Sequence, residues 1–384
     1  MKTSYDVAVI GIGTMGSFAL CELAERGTRV IGFDQSTPPH EMGSHSGDTR
    51  VFRIAYGEHP DYVPLGLRAS ALWDQYSARG DVQLLNRSGM LTIGDPKSVF
   101  IKGILNSARM YRLGLVQYTS AELMRLFPAF ETDDSQAGVF EADAGWLNAS
   151  LAIATALKLA RQGGAIVRCE ESVLKWSARR DHFEIVTTRG TVLAEKLIVT
   201  AGAWTSRMLT KLGLPLKVER RVLIWVNPLD RTVFQPSVFP VFAYGDKFFY
   251  GFPDIGERGV KLAVHWQPSK PEADPASVID EVTLDEAVEP LSIAASLLPR
   301  LAGPMPQALE RVCRMKTCLY TNSHDGHFFL DRHPELPNLL LAAGFSGHGF
   351  KFAPAIGEAL ADMATTGRST LPIEFLSLRR LDAH

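Results

Sequence analysis

The chain has 384 residues, of which 46% are hydrophobic and 21% are charged, a balance typical of a globular protein and unlike that of a disordered or collagen-like chain. Its 40 lysines and arginines against 42 aspartates and glutamates leave a net charge of −2, which favours neither a nucleic acid nor an anionic membrane as partner. No uncharged apolar run reaches the roughly 18 residues of a transmembrane helix, and the four cysteines are too few for a disulfide scaffold, so we expect a protein of the reducing cytoplasm.

The N-terminal segment has the pattern of a strand, a helix and a second strand. Tyr5 to Ile10 is a short apolar run typical of a buried parallel strand. The spacing of apolar residues then predicts a helix over 17–26, which Gly27 ends, and a second strand over 29–33. This order is that of a βαβ unit, whose first turn commonly binds a nucleotide.

The turn after the first strand carries a glycine motif, and the second strand ends at an acid. In Gly11-Ile-Gly13-Thr-Met-Gly16, the first glycine permits a tight turn and the second lets the backbone approach a pyrophosphate. Gly16 allows the helix to pack closely on the strand, and the helix N-terminus offers N–H groups to phosphates. Asp34 stands about 20 residues further on, where an acid binds a ribose. The segment predicts a dinucleotide site without separating FAD from NAD, and a tight turn without a ligand is the alternative.

Two later strands also end in glycine-rich turns. Leu197 to Thr200 is followed by the turn 201–204. Asn338 to Ala343 is followed by the turn 344–351 and by a predicted helix over 354–363. Strands of one parallel sheet bring such turns to the same edge, so the nucleotide-binding domain is predicted to be discontinuous in sequence.

The middle of the chain has a different pattern, typical of antiparallel strands. Residues 222–226, 247–252 and 260–265 are rich in β-branched and aromatic residues without helices between them, and 89–94 and 138–140 also look extended. We therefore predict an α/β fold in which a doubly wound, Rossmann-like domain is joined to a second, largely antiparallel α+β domain. The predicted bounds are 1–85, 150–215 and 320–384 for the nucleotide-binding domain, and 86–149 and 216–319 for the substrate domain.

One predicted strand carries a lysine that bears on function. Alternation along residues 260–265 puts Lys261 and His265 on one face and Leu262 and Val264 on the other. A lysine that faces inward is costly to bury and would mark a functional site. A solvated outer face is the alternative, and the sequence does not separate the two.

Arg50 and Arg53 form a second candidate. Their i, i+3 spacing would place both on one face of a helical turn. Two guanidinium groups could bind a phosphate, a carboxylate or an electron-rich ring. Surface arginines with acidic partners are the alternative.

Further side chains with possible chemistry lie later in the chain. Tyr250 shares a strand face with two phenylalanines, which predicts core packing or a phenol at a pocket wall. Lys316 lies two positions from Cys318, and an electropositive setting favours the nucleophilic thiolate, although a lone cysteine is often a small buried hydrophobe. No metal site is predicted, because no metal motif has the spacing of His324, Asp325, His327, Asp331 and His333.

Together these motifs resemble the family of monomeric sarcosine oxidase and N-methyltryptophan oxidase. The most specific stretches are MKTCLYT at 315–321 and GFSGHGFK at 344–351, whereas GxGxxG occurs in many nucleotide-binding proteins. The other stretches run from one end of the chain to the other: GIGTMG with Asp34, PPHEMGSHSGDTRVFRIAYGE (38–58), YVPLGLR (62–68), IVTAGAW (198–204), YGFP (250–253) and VKLAVH (260–265).

The resemblance implies that the dinucleotide is FAD. In that family a cysteine thioether holds a ring methyl of the flavin, which the motif assigns to Cys318, with Cys313 as the alternative. Arg50 would lie against the flavin, and the turn 344–351 would bring backbone N–H groups to its pyrimidine edge, favouring an anionic reduced flavin. The implied cofactor contacts are Gly11, Gly13, Thr14, Met15, Gly16, Asp34, Gln35, His40, Gly43, Ser44, His45, Thr49, Arg50, Val173, Thr200, Gly202, Trp204, Cys318, Gly347, Gly349, Phe350 and Lys351.

The resemblance also implies roles in catalysis. Lys261 would activate oxygen beside the flavin, because a cation stabilises the developing superoxide. Arg53 and Lys351 would bind the substrate carboxylate. The side chains that would line the pocket are Tyr250, His265 and Tyr320.

Two positions depart from the family pattern. The family commonly has two adjacent histidines where this chain has His45-Ser46, which removes any hydrogen bond that the second imidazole made beside the flavin. Ala243 aligns with a bulkier residue in the sarcosine enzyme, which would leave room for a larger substrate side chain.

The resemblance therefore implies a monomeric flavin amine oxidase. Its partners would be a secondary, N-methyl amino acid such as sarcosine and molecular oxygen, and its products would be an amino acid, formaldehyde and hydrogen peroxide. The alternatives are oxidation of N-methyltryptophan, a cyclic imino acid or a primary amino acid, a dehydrogenase that uses another electron acceptor, and a flavin-binding protein without turnover.

Overall fold

The computed structural model describes residues 4–266, 272–277 and 282–383, and its first sheet has a parallel centre. The strands of this sheet run in the order β10-β11-β12-β1-β2-β9, with β19 beside β12 and β18 beside β19. The five strands β9, β2, β1, β12 and β19 pair in parallel. The bounds are β1 (Ser4–Ile10), β2 (Val30–Phe33), β9 (Ile166–Arg168), β10 (Val173–Ala178), β11 (Phe183–Thr187), β12 (Gly190–Val199), β18 (Phe329–Arg332) and β19 (Leu339–Ala343).

The second sheet is antiparallel except between β14 and β5. Its strands run in the order β17-β13-β16-β15-β14-β5-β7-β6. Their bounds are β5 (Met90–Gly94), β6 (Leu115–Thr119), β7 (Ala137–Glu141), β13 (Leu216–Val226), β14 (Val241–Tyr244), β15 (Phe249–Asp254), β16 (Val260–Val264) and β17 (Val312–Ser323). A small antiparallel sheet contains β3 (Thr49–Phe52), β8 (Gly145–Asn148) and β4 (Leu85–Asn86).

Helices cover the first sheet and flank the second. The α-helices are α1 (Thr14–Glu25), α2 (Tyr62–Gly80), α3 (Val99–Tyr111), α4 (Ser120–Leu126), α5 (Ala149–Gln162), α6 (Thr205–Met208), α7 (Val288–Leu297), α8 (Pro299–Ala302), α9 (Gln307–Glu310) and α10 (Ala353–Thr365). Short 3₁₀ turns cover Gly202–Trp204, Thr210–Leu212, Arg231–Phe234, Ile255–Glu257, Leu284–Ala287, Phe350–Phe352, Glu374–Leu376 and Leu378–Ala383. Among the described residues, no helix combines the length and apolar character needed to cross a bilayer.

The largest core cluster packs helices α1, α2, α5 and α10 against one another and against the first sheet. Helix α1 packs against α5 and α10. Phe18 on α1 meets the rings of Trp73 and Tyr76 on α2 edge-on, with centroid distances of 5.1 and 4.8 Å. The Trp73 indole N–H also donates to the backbone oxygen of Lys351 at 2.8 Å. This contact ties the helical layer to a residue that the sequence predicts to bind substrate.

The predicted fold class is confirmed, and two of the predicted strands correspond to the buried ends of longer ones. The run 197–200 is the end of β12, and 222–226 is the end of β13. The rest of each strand alternates in burial or is partly exposed, so a search for continuous apolar runs misses it. The bounds of the two predicted domains stay a prediction.

One local prediction is wrong. Arg50 lies in β3, which pairs antiparallel with β8, and Arg53 follows the end of that strand, so the two are not on a helical turn. The β-branched and aromatic residues of Thr49–Phe52 favour an extended backbone over a helix. The two guanidinium groups nevertheless line the same cavity.

Candidate active site

A cleft of about 1300 Å³, partly open to solvent, lies at the carboxyl ends of the parallel strands. Its walls include Gly11 after β1, Asp34 after β2, Thr200 after β12 and Gly344 after β19. This edge is where an open parallel sheet binds its ligands. The three strand-to-turn segments predicted to converge therefore line a single cleft.

The first turn has the close contacts that its glycines suggest. Gly11 has a φ of +83°, and a Cβ there would lie 2.7 Å from the backbone oxygen of Thr200. A Cβ at Gly16 would lie 2.0 Å from the oxygen of Gly11. Only glycine fits at either position without moving backbone, so the N-terminus of α1 can open directly onto the cleft.

Asp34 joins two loops at the cleft. Its carboxylate accepts hydrogen bonds from the backbone N–H groups of Ile12 at 3.2 Å and Ser36 at 3.0 Å. The His40 Nε2 atom lies 3.4 Å from the same carboxylate. Asp34 thereby fixes the loop after each of the first two strands while it faces the cleft.

Most predicted cofactor residues line this cleft. Gly16, Thr49, Cys318 and Lys351 do not, since Gly16 lies beneath the first turn and the last two line a neighbouring cavity. The predicted residues that do line it are Gly11, Gly13, Thr14, Met15, Asp34, Gln35, His40, Gly43, Ser44, His45, Arg50, Val173, Thr200, Gly202, Trp204, Gly347, Gly349 and Phe350. Other residues that line it, mostly neighbours of the predicted contacts, include Glu171, Ser172, Ala201, Ala203, Met208, Thr321 and Phe345.

The neighbouring cavity, of about 600 Å³, is lined by charged and aromatic side chains. It shares Arg50, Tyr320, Gly347 and Phe350 with the cleft, so the two spaces meet at these residues. The predicted site residues that line it are Arg50, Arg53, Tyr250, His265, Cys318, Tyr320, Gly347, Phe350 and Lys351.

Arg50 is the cation that contacts the Cys318 thiol. Its Nη2 atom donates to Cys318 Sγ at 3.3 Å and to the backbone oxygen of Ser44 at 2.8 Å. Lys316, the neighbour suggested by sequence, instead pairs with Glu41 at 3.1 Å. The electropositive setting of this buried thiol therefore comes from β3, far away in the chain.

Lys261 is buried, so the solvated-face alternative is wrong. Its Nζ atom donates to the backbone oxygens of Gly47 at 2.6 Å and Thr49 at 2.8 Å, and to the Thr49 hydroxyl oxygen at 3.2 Å. Burial, and secondarily the charge of Arg50, lower the pKa of Lys261 well below its usual value. Lys261 lines neither the cleft nor the cavity, but lies behind the β3 turn that carries Arg50.

The two faces of β16 differ as the alternation predicts. Leu262 and Val264 belong to the core cluster of the second sheet. Ala263 packs with Cys318 and Tyr320, and the ring of His265 lies 5.2 Å from that of Tyr320. The Lys261 face is thus directed toward the side of the sheet on which the thiol and the cavity lie.

The Arg53 guanidinium is paired inside the cavity. It is 3% exposed, and it contacts Glu58 at 2.5 Å and the Ala55 oxygen at 3.2 Å. Burial alone would raise the pKa of Glu58, but the surrounding charges, above all that of Arg53, lower it to about 2. Glu58 was not assigned from sequence, although it ends the quoted stretch RIAYGE beside Tyr56.

Three neutral side chains complete the cavity wall. Burial raises the pKa of Tyr250 and of Tyr320, so both remain phenols at neutral pH. Burial also lowers the pKa of His265 to about 3, and its Nδ1 atom lies 3.1 Å from the Tyr320 hydroxyl. These three side chains therefore add no charge to the cavity wall that holds Arg53, Lys351 and Glu58.

The two departures from the family pattern have defined surroundings. The Ser46 hydroxyl donates to the backbone oxygen of Thr317 at 2.8 Å, so it ties the β3 loop to the residue before Cys318. Ala243 is buried opposite Tyr250 in the strand pair and does not line the cavity. Its small size acts on the pocket only through Tyr250 and the neighbouring rings.

Within the described ranges, no three histidine, cysteine or carboxylate side chains lie together in a way that could hold a metal ion. Near the C-terminus, Asp325 pairs with Arg380 at 2.7 Å, and the Tyr62 hydroxyl lies 3.2 Å from His327 Nδ1. These histidines and acids have structural partners.

Comparison with known proteins gives matches along the whole chain. A family model of FAD dependent oxidoreductases matches residues 6–363. The monomeric sarcosine oxidase of Streptomyces avermitilis is 35% identical over 391 residues, covering 100% of this chain and 99% of that protein. The N-methyl-L-tryptophan oxidase of Salmonella heidelberg is 34% identical over 364 residues, covering 94% of each. The resemblance drawn from the motifs is confirmed.

Solved structures share the fold. NikD, described as an unusual amino acid oxidase, has a TM-score of 0.84 at 24% identity and covers 98% of this chain and 97% of its own. L-proline dehydrogenase from P. horikoshii has a TM-score of 0.85 at 20% identity and covers 100% and 99%. At such identities these matches establish the architecture alone.

Proposed function

Because the chain belongs to the FAD dependent oxidoreductase family, we propose that it is an amine oxidase that acts on a secondary α-amino acid and uses oxygen as electron acceptor. Two relatives at about a third identity carry the names monomeric sarcosine oxidase and N-methyl-L-tryptophan oxidase. The observation that carries the proposal is the pair Arg53 and Lys351, both buried, in one cavity that opens onto a dinucleotide cleft. Two buried cations in such a place fit a substrate that carries a carboxylate.

The residues of the cleft fit FAD. The glycine turn leaves no room for a Cβ at Gly11 or Gly16, and α1 opens beside it as an anion site. Asp34 supplies an acceptor for a ribose hydroxyl. Arg50 stands where the cleft meets the substrate cavity, and Cys318, which contacts Arg50, lines the cavity. When bound, FAD would supply a two-electron oxidant for the CH–NH unit of the substrate and a route for those electrons to oxygen.

The protein's own residues bind and orient the substrate. Arg53 and Lys351 hold the carboxylate, which fixes the direction of the N-alkyl group. Tyr250, Tyr320 and neutral His265 exclude water and offer hydrogen-bonding groups without adding charge. Lys261 places a buried amine close behind Arg50, hydrogen-bonded to the Gly47 oxygen, and its protonated form favours the negative charge that develops when oxygen is reduced.

For an N-methyl amino acid the overall reaction is balanced. The amino acid, oxygen and water give the demethylated amino acid, formaldehyde and hydrogen peroxide. The hydrolysed bond is that of the imine formed between nitrogen and the former methyl carbon. A cyclic imino acid would instead keep its carbon skeleton and yield no formaldehyde.

A peroxide-coupled screen tests the proposal. Sarcosine, larger N-methyl amino acids, cyclic imino acids and primary amino acids are offered to the purified holoenzyme, with peroxide and formaldehyde measured in parallel. Equal amounts of both products from an N-methyl amino acid are expected. If only cyclic or primary amino acids give peroxide, and no formaldehyde forms, the substrate class would be cyclic or primary amino acids and not N-methyl amino acids. Substrate-dependent reduction of an artificial acceptor without peroxide would indicate a dehydrogenase, and no turnover with any substrate would contradict the proposal.

The flavin is proposed to be attached through Cys318. This thiol is 3% exposed and lines the cavity in contact with Arg50, whereas Cys313 is exposed and contacts the Trp225 backbone oxygen at 3.4 Å. Acid precipitation is expected to leave the yellow colour on the wild-type protein and on the matched control Cys313→Ser. The Cys318→Ser protein is expected to release it. Release from the wild type would reject the thioether.

We also propose a monomer, which the name of the Streptomyces relative supports. Sedimentation analysis of the holoenzyme should give a single species near the mass of one chain, 42.2 kDa. A species of twice that mass would reject the monomer.

A further inference from the structure

We infer that Tyr56 is a positioning residue that holds the two carboxylate-binding cations in place, and that His348 fixes the direction of its hydroxyl group. Tyr56 contacts Arg53 with its ring face and Lys351 with its hydroxyl, so one side chain touches both cations. The inference rests on the proposed function, because it concerns the same cavity and the same substrate carboxylate.

The ring of Tyr56 is fixed against the Arg53 guanidinium. The Arg53 Cζ atom lies 4.0 Å from the ring centroid, within the range of a cation–π contact. Tyr56 is fully buried, and its ring packs against Tyr62 and Phe352 with centroid distances of 4.7 and 5.4 Å. Its backbone oxygen accepts a hydrogen bond from the Ser107 hydroxyl at 2.6 Å. The surface under Arg53 is therefore held from several sides.

The direction of the Tyr56 hydroxyl follows from the partners of His348. The Nε2 atom of His348 lies 3.0 Å from the backbone oxygen of Gly326, which only accepts, so Nε2 carries the proton. Burial lowers the pKa of His348 to about 3, so the ring is neutral and Nδ1 is an acceptor. The Tyr56 hydroxyl therefore donates to Nδ1 at 2.6 Å and turns its lone pairs away from that ring.

Lys351 donates a hydrogen bond to the Tyr56 hydroxyl oxygen. Its Nζ atom donates to the Tyr56 hydroxyl oxygen at 3.3 Å and to the His348 backbone oxygen at 2.6 Å. An ammonium has three N–H groups, and no third acceptor within the described part of the chain contacts Nζ. Because Lys351 lines the cavity, the third N–H is available for a substrate carboxylate. The hydroxyl thus orients the ammonium as well as stabilising its charge.

This arrangement also predicts a pH effect with a definite sign. Burial, and then the charge of Arg53, lower the pKa of Lys351 well below its usual value. Carboxylate binding needs the charged form, so affinity is lost as pH rises through that pKa. Removing the Tyr56 hydroxyl takes away an acceptor of the ammonium and lowers the pKa further. The charged and titratable groups facing Lys351 are Arg53, Glu58, Glu141, Tyr56, His265 and His348.

Glu141 is a second buried group whose titration must be separated from that of Lys351 when the wild type and Tyr56→Phe are compared. Burial raises the pKa of Glu141 to about 7, so it changes charge within the range of the titration. Its carboxylate accepts hydrogen bonds from the backbone N–H groups of Ile54 and Ala55 and not from the Tyr56 hydroxyl. Tyr56→Phe leaves both of these hydrogen bonds in place, so the difference in pH dependence between the two proteins reports the Tyr56 hydroxyl.

The test uses Tyr56→Phe, which keeps the ring under Arg53, and Tyr62→Phe as matched control. Tyr62 is an equally buried neighbour that does not line the cavity. Calorimetric titration of each holoenzyme with acetate across pH measures carboxylate affinity without turnover. For Tyr56→Phe we expect acetate affinity to fall about tenfold and its alkaline loss to move about one pH unit lower, with KM raised and kcat little changed. Tyr62→Phe should match the wild type.

Variants of His348 provide the second test. His348→Asn keeps an acceptor near the Nδ1 position and should retain acetate affinity, whereas His348→Leu should behave as Tyr56→Phe. Wild-type affinity and pH dependence in both Tyr56→Phe and His348→Leu would overturn the inference. If the wild type binds acetate with the expected pH dependence but oxidises no amino acid, the proposed function fails and the positioning role stands.

Discussion

The cleft and the cavity meet at Arg50, but backbone shapes the first and charged side chains shape the second. The cleft is shaped by backbone turns at strand ends, where glycines let chain segments approach to distances that no Cβ tolerates. The cavity is shaped by side-chain charges that are buried and paired, such as Arg53 with Glu58. Backbone turns position a cofactor with little dependence on side chains. When one partner of a buried ion pair is removed, by contrast, the other charge loses its compensation and the folded or bound state is strongly destabilised. Substitutions in the two regions should therefore fail in different ways.

The largest effect is expected in the cavity. Arg53→Met removes one carboxylate ligand and leaves the partly buried Glu58 without its cation, so binding of a carboxylated substrate should weaken by about 2–5 kcal/mol. Steady-state KM and acetate affinity measure this loss, while the FAD content should stay unchanged. Arg68→Met, which removes a cation paired with Glu358 outside both spaces, is the control. An unchanged KM would take Arg53 out of the substrate site.

The next effect separates the two half-reactions. Lys261→Met removes an amine held by three oxygens behind the junction, whose protonated form favours reduction of oxygen, so reoxidation of the flavin should slow on the order of 100-fold. Anaerobic reduction by substrate should keep its rate, because Lys261 lines neither the cleft nor the cavity. Stopped-flow measurements resolve the two steps. Equal slowing of both would contradict this assignment.

A smaller effect is expected in the cleft. Gly16→Ala would place a methyl group 2.0 Å from the Gly11 oxygen, so the turn must shift at a cost of about 1–3 kcal/mol. Thermal unfolding and the ratio of FAD to protein measure the change, and any bound flavin should still react normally with substrate. Gly114→Ala, which meets nothing within 4 Å, is the matched control. If the Gly16→Ala protein kept its full FAD content but bound substrate more weakly, the assignment of the cleft to the cofactor and of the cavity to the substrate would be contradicted.

The smallest effect is expected at Lys316. Its ion pair with Glu41 is partly exposed, so Lys316→Ala should cost less than about 1 kcal/mol of unfolding free energy. The fraction of flavin that survives acid precipitation should not change, since Arg50 contacts the thiol. A clear fall in that fraction would return Lys316 to the role that the sequence suggested.

The same contrast explains what the sequence could predict. The glycine turns, Asp34 and the buried strands follow from local spacing, and the structure brings them to one edge of one sheet. The face of β16 that carries Lys261 followed from alternation, but its burial did not, because burial depends on how β3 packs against it. Local propensity describes backbone well and says little about which distant element covers a side chain.

The missed residues are those whose role comes from tertiary contacts. Glu58 and Tyr56 lie inside a quoted motif, yet nothing in their spacing shows that one pairs with Arg53 and the other contacts Lys351. The sequence suggested Lys316, two positions away, as the cationic neighbour of the Cys318 thiol, but Arg50 makes that contact. Chain proximity is a poor guide to the charge around a buried group, because strands bring together residues that lie far apart in sequence.

Anaerobic mixing of the holoenzyme with an N-methyl amino acid tests the central claim most directly. The visible flavin absorption should be lost with the amino acid and should persist far longer with the matching N-methyl amine, which lacks the carboxylate. Equal bleaching by both, or no bleaching by either, would contradict an oxidase that selects its substrate through a buried pair of cations.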